Sequence, residues 1–84
     1  MMIGEPYIWI SKEDFFNLLK SVMENEEVSW LTTDIQSFEW HEINADKTKF
    51  IEKLKKLDFK KVFIAIYNPK TKQNEYHKFM LVSG

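Results

Sequence analysis

Two short units set a carboxylate and an imidazole on either side of an aromatic residue, Glu39-Trp40-His41 and Glu75-Tyr76-His77. Residues two apart in an extended strand share a face, so each unit would present its Glu and His side by side. Brought together, the two units would supply N and O donors for a divalent metal, or an acid–base pair. The simpler expectation is that Trp40 and Tyr76 point into the core and the Glu and His residues are their solvent-side neighbours. No metal site, cofactor or catalytic residue is therefore assigned. Nucleophilic chemistry has less to stand on. The sequence has no cysteine, and Ser11, Ser21, Ser29, Ser37 and Ser83 lie in no nucleophile-elbow pattern. Gly4 and Gly84 are the only glycines, which excludes a Gly-rich loop cradling a phosphate. An enzyme is not expected.

The charges are more informative than their net value of −1. Residues 1–46 hold ten acids against Lys12 and Lys20, or −8, whereas residues 47–84 hold ten lysines against Glu52, Asp58 and Glu75, or +7. Glu24, Glu26, Glu27, Asp34, Glu39 and Glu42 form a candidate acidic contact surface for a basic partner, with electrostatic steering of the encounter. Lys53, Lys55, Lys56, Lys60, Lys61, Lys70 and Lys72 form the alternative, a face tracking a phosphate backbone. All twelve basic residues are lysine, and without the bidentate arginine fork base-specific recognition is disfavoured. A solvated lysine face on a surface helix and a generic acidic face are the competing, non-functional readings of both sets.

These residues must be positioned by elements legible in the hydrophobic pattern. Lys60 to Tyr67 holds six uninterrupted apolar residues, many β-branched or aromatic, and reads as a strand buried on both faces at the centre of a sheet. Asn68-Pro69 opens a turn-like segment to Asn74, and Glu75–Val82 returns as a hairpin strand. Upstream, Tyr7–Ile10 reads as a first strand after a flexible lead-in over residues 1–6. Ser11 stands as an N-cap, and Phe15, Leu18, Leu19, Val22 and Met23 form a helical stripe over residues 12–25. Val28–Thr33 and Phe38–Ile43 read as second and third strands. Asn44 or Asp46 caps a second helix striped by Phe50, Ile51, Leu54 and Leu57.

The resulting order, β-α-β-β-α-β-β over residues 1–84, resembles the ferredoxin-like fold: one α+β domain, a two-layer sandwich with a mostly antiparallel sheet, two helices on one face and an added C-terminal hairpin strand. In such a sandwich one sheet face has no helix over it. Either Tyr7 and Trp9 or Ile8 and Ile10 must then face outward, with one set from Val62, Ile64 and Ile66 or from Phe63, Ala65 and Tyr67. The element order is also similar to that of RNA-recognition motifs, in which Ile8-Trp9-Ile10 and Phe38-x-Trp40 occupy the places of the stacking aromatics. The sequence departs from that family in lacking glycines over Ser37–Ile43 and in placing Glu39 and Glu42 there.

The expected function is that of a small non-enzymatic interaction protein. It would bind and modulate or inhibit a macromolecular partner, as bacterial or phage inhibitors and immunity-type proteins do, the partner being a basic nucleic-acid enzyme or a toxin. Trp30 and Trp40 are the candidate aromatic anchors. A small RNA-binding module is the alternative, and a homodimer through the open sheet face is compatible with either. No apolar run approaches the ~18 residues of a membrane span. With no cysteine and no basic-then-apolar leader, the expectation is a cytoplasmic protein without membrane contact.

Overall fold

Ser11 ends a strand and starts a helix in one residue: extended itself, it accepts the Asp14 backbone N–H on its hydroxyl at 3.1 Å, satisfying one of the donors a helix start leaves unpaired. The computed structural model describes residues 7–82, so the expected lead-in over residues 1–6 lies outside the described residues. The elements are β1 (Ile8–Ser11), α1 (Lys12–Asn25), β2 (Glu27–Thr33), β3 (Ser37–Glu39), α2 (Trp40–Asn44), α3 (Lys47–Lys55), β4 (Lys61–Asn68) and β5 (Gln73–Val82). The Asp46 carboxylate caps α3 through the Lys49 N–H at 3.1 Å.

The five strands form one mixed sheet in the order β1-β5-β4-β2-β3. β4 lies between β5 and β2, antiparallel to both, which gives its doubly apolar sequence the central place it needs. The chain is α+β, but the sheet is not the simple ferredoxin-like one expected. β1 stands at an edge, parallel to β5, and its chain passes directly into α1 at Ser11. Three helices form instead of two. The expected third strand over Phe38–Ile43 stops at Glu39, and Trp40 begins α2. There the Glu42 carboxylate accepts the Glu39 backbone N–H at 2.8 Å, and Ile43 turns inward and is fully buried.

One core results. Phe15, Phe16, Leu19 and Met23 of α1, Ile43 of α2 and Phe50, Ile51 and Leu54 of α3 cluster with Val28, Leu31, Phe38, Val62, Ile64, Ile66 and Phe79 of the sheet. Those sheet residues share one face by strand alternation, except that Val28 and Leu31, three apart, do so through the register shift between Val28 and Trp30 in β2.

The helix pair α1 and α3 is fastened at both ends by its own first residues. Lys12 donates through Nζ to the Leu57 carbonyl at 3.2 Å and the Lys55 carbonyl at 3.4 Å. Lys47 donates to the Met23 carbonyl at 3.0 Å. Each ammonium thus meets the negative end of the other helix, where carbonyls lack helical partners. Lys12→Met and Lys47→Met are each expected to cost about 1 kcal/mol in urea denaturation. Because the two fastenings lie at opposite ends of the pair, the double variant should lose close to the sum.

Candidate functional site

The remaining aromatic residues converge on the sheet face turned away from this core. In the register, Ala65 of β4 stands between Trp30 of β2 and Tyr76 of β5, so a small side chain lies between two of the largest. The Trp30 and Tyr76 rings close over it with centroids 6.1 Å apart, and Ala65 is 0 % exposed. Phe63, on the same face of β4, meets the Trp30 ring edge-on at 4.9 Å and the Tyr76 ring at 6.4 Å. Edge-to-face pairs of this kind add about 0.5–1.5 kcal/mol each beyond burial. The cluster therefore shields the middle of β4 from solvent with side chains alone.

Lysines and polar groups frame it. Lys78, opposite Phe63 in the register, holds its ammonium 4.8 Å from that ring's centroid. Lys78 and Lys61 also stand near the Tyr7 ring, at 5.8 and 6.0 Å. On the other side, Glu39 pairs in register with Trp30 and Glu27 with Tyr67. Ser29 donates its hydroxyl to Asn74 Oδ1 at 2.8 Å, reaching past β4, and Ser37 donates to Thr32 Oγ1 at 3.2 Å. Trp9 and Tyr76 project furthest, at 69 % and 59 % exposure. Of the alternatives read from the sequence, the outward set is thus Tyr7 and Trp9 with Phe63, Ala65 and Tyr67.

Of the candidate acidic residues, Asp34 stands apart from the others. Glu24 lies in the last turn of α1, Glu26 is its C-cap, and the Glu27 carboxylate accepts the Trp40 indole N–H at 3.3 Å. Glu42 is tied to the Glu39 backbone. Asp34 lies at the far end of β2 from Glu27, roughly 20 Å away along seven strand residues, and its work is internal: Oδ1 accepts the backbone N–H groups of Lys60 at 2.9 Å and Lys61 at 3.1 Å. It fastens the β2–β3 turn to the start of β4. That turn is itself built on Thr33, whose Oγ1 accepts from Ile35 and Gln36 and donates to the Gln36 carbonyl.

Desolvation pushes the Asp34 carboxyl up, but the Lys60, Lys61 and Asp34 N–H groups and the Lys61 charge outweigh it and hold it below its ordinary value of 3.8. A carboxylate depressed on folding adds stability that is complete above its unfolded pKa and is lost as pH falls through the folded value. Asp34→Asn is accordingly expected to flatten the acid limb of the stability profile below about pH 4, read from thermal melts across pH.

The candidate lysines also divide. Lys53 and Lys55 stand over the Phe38 and Phe16 rings at 5.6 and 5.8 Å, covering core edges with their stems. Lys60 precedes β4 and Lys61 begins it, whereas Lys70 and Lys72 lie in the hairpin beyond its other end. There Asn68 accepts the Lys70 and Lys72 N–H groups, and Lys72 takes a φ of 59°.

The Glu-aromatic-His units fare differently from expectation. Glu39 and His41 fall on separate elements, and Trp40 is exposed at the start of α2. In β5 it is Tyr76 that faces outward, while Glu75 and His77 share the side of Phe79. Among the described residues no three His, Cys, Asp or Glu side chains come close enough to hold a metal ion. The sequence signal that places Tyr76 and Lys78 on this face is the alternation of Asn74, Tyr76, Lys78 and Met80 against Glu75, His77, Phe79 and Leu81.

The arrangement suits binding: exposed aromatic edges on a fixed sheet, with charges of both signs around them. No described helix is long and apolar enough to cross a membrane. Compared with known family models, curated proteins and solved structures, the chain matches none.

Proposed function

We propose that this chain is a non-enzymatic interaction protein that binds and modulates a macromolecular partner, in its most concrete form an inhibitor or immunity-type protein of a bacterium or phage. The contact surface is the aromatic sheet face, in place of a single acidic surface. The observation that carries this reading is the Trp30–Phe63–Tyr76 cluster, which buries Ala65 yet leaves Tyr76 largely exposed. Aromatic centres with polar, charged rims are the usual anatomy of protein interfaces, and Trp and Tyr dominate their energetics. Glu27 and Glu39 on one side and Lys61 and Lys78 on the other give the rim both signs. Such a rim fits a protein with a complementary pattern better than a uniformly negative phosphate backbone.

A small module for single-stranded nucleic acid is the second reading, favoured by Lys78 and Lys61 beside the rings. Affinity capture from a bacterial host lysate, with wild type against Trp30→Ala and Tyr76→Ala, separates the two. A stoichiometric protein retained by wild type and lost by both variants supports the first reading. Recovery of nucleic acid in its place supports the second. Retention by both aromatic variants, with loss on Glu24→Gln and Glu26→Gln, would overturn the assignment of the face.

A further inference from the structure

β1 lies at the edge of the sheet, and its outer side has no partner strand among the described residues. Edge strands are commonly blunted by lysine, proline or a bulge. Ile8-Trp9-Ile10-Ser11 contains none of these and pairs with β5 without a break in register. Both faces of this edge are apolar and accessible: Ile8 is 51 % exposed on the core side and Trp9 69 % on the other. Beside it, between β1, β5 and α1, runs a mostly apolar groove of about 390 Å³, whose walls include Ile8, Ile10, Leu18 and Phe79 together with Glu26, Glu75 and His77. Leu18 is itself 42 % exposed.

We propose that β1 pairs with β1 of a second copy, antiparallel about a two-fold axis through Trp9. The strand is self-complementary. With Trp9 on the axis, the two indoles stand opposite each other, and Ile8 of either copy meets Ile10 of the other. Alternation sends both isoleucine pairs to the core side and both indoles to the opposite face. The two grooves then merge into one, floored by four isoleucines with a Leu18 on each side. No charged side chain in the strand is set against its own twin, an arrangement that would oppose pairing. The free backbone groups of both edges gain partners, and the contact is isologous and closed. It uses the edge of the sheet and leaves the Trp30–Phe63–Tyr76 cluster open, so it stands or falls independently of the function proposed above.

Sedimentation equilibrium of the full chain over a concentration series is expected to approach twice the chain mass. Trp9→Lys, which sets two ammonium groups face to face, should weaken the dimer at least about tenfold with an unchanged far-UV spectrum. Because the sequence has no cysteine, Trp9→Cys supplies one thiol directly opposite its twin, with Cβ atoms about 4.5–5.5 Å apart, within reach of a disulfide after small adjustment. Mild oxidation should give a covalent dimer of Trp9→Cys far faster than of Tyr76→Cys. A monomer at every concentration, a Trp9→Lys dimer as tight as wild type, or equal cross-linking of the two cysteine variants would overturn the pairing. A wild-type monomer that instead takes up an added strand-forming peptide at this edge would overturn the second copy as its occupant.

Discussion

Phe15→Ala is expected to lower the unfolding free energy by about 3–5 kcal/mol, seen as a fall in the urea midpoint with an unchanged slope. Phe15 is 1 % exposed and meets three other rings edge-on, Phe16 at 5.3 Å, Phe79 at 5.5 Å and Phe59 at 6.1 Å. These rings come from α1, β5 and the segment between α3 and β4, so one side chain joins three parts of the chain. Truncation leaves a cavity that the surrounding rings cannot close without leaving their own contacts. Domains of this size have a stability of about 5–15 kcal/mol or less, so the variant should be partly unfolded at moderate temperature. Leu18→Ala, on the exposed side of the same helix, provides the comparison and should cost less than about 1 kcal/mol.

The second large effect concerns binding. Once a partner is in hand, Tyr76→Ala is expected to weaken its binding by at least about thirtyfold, the scale of an interface hot spot near 2 kcal/mol, with little change in thermal stability because the ring is mostly exposed. Trp30→Ala should weaken binding comparably but also destabilise the fold, since its half-buried ring covers Ala65 and packs on Phe63. Isothermal titration paired with thermal melts separates the two contributions. Equal affinity of wild type and Tyr76→Ala would remove the sheet face from consideration.

Much of this architecture is written in local chemistry. Ser11 as N-cap, the bounds of α1, the cap of α3 as one of Asn44 or Asp46, and the doubly apolar β4 all follow from side-chain periodicity and capping, which act within a few residues. The break at Trp40 was hidden because Phe38-Glu39-Trp40-His41-Glu42-Ile43 alternates like a strand. The competing signal is an acid three residues after the helix entry, with Trp40 and Ile43 at helical spacing. The edge position of β1 and its parallel pairing are long-range choices, and no local pattern encodes them. The site was legible as a pair of alternatives for the outward face and, separately, as Trp30 among the candidate anchors. What resolves it is register: Trp30, Ala65 and Tyr76 come from three strands, and only their alignment reveals that a small residue sits beneath two large ones. The charge lists do not carry spatial grouping, because sequence proximity of Glu27 and Asp34, or of Lys61 and Lys70, becomes separation once a strand holds them at opposite ends.

The parallel register of β1 on β5 also has a consequence in time. Ile8 stands opposite Phe79 and Ser11 opposite Val82, so this pairing closes the longest loop in the sheet. The entropy of closing a loop rises with its length, and here four residue pairs must offset it. The β4–β5 hairpin and the β2–β4 ladder enclose shorter loops and can assemble first. β1 is therefore expected to dock after the β2–β4–β5 ladders and to exchange its amide hydrogens faster than β4, which hydrogen exchange followed residue by residue would read.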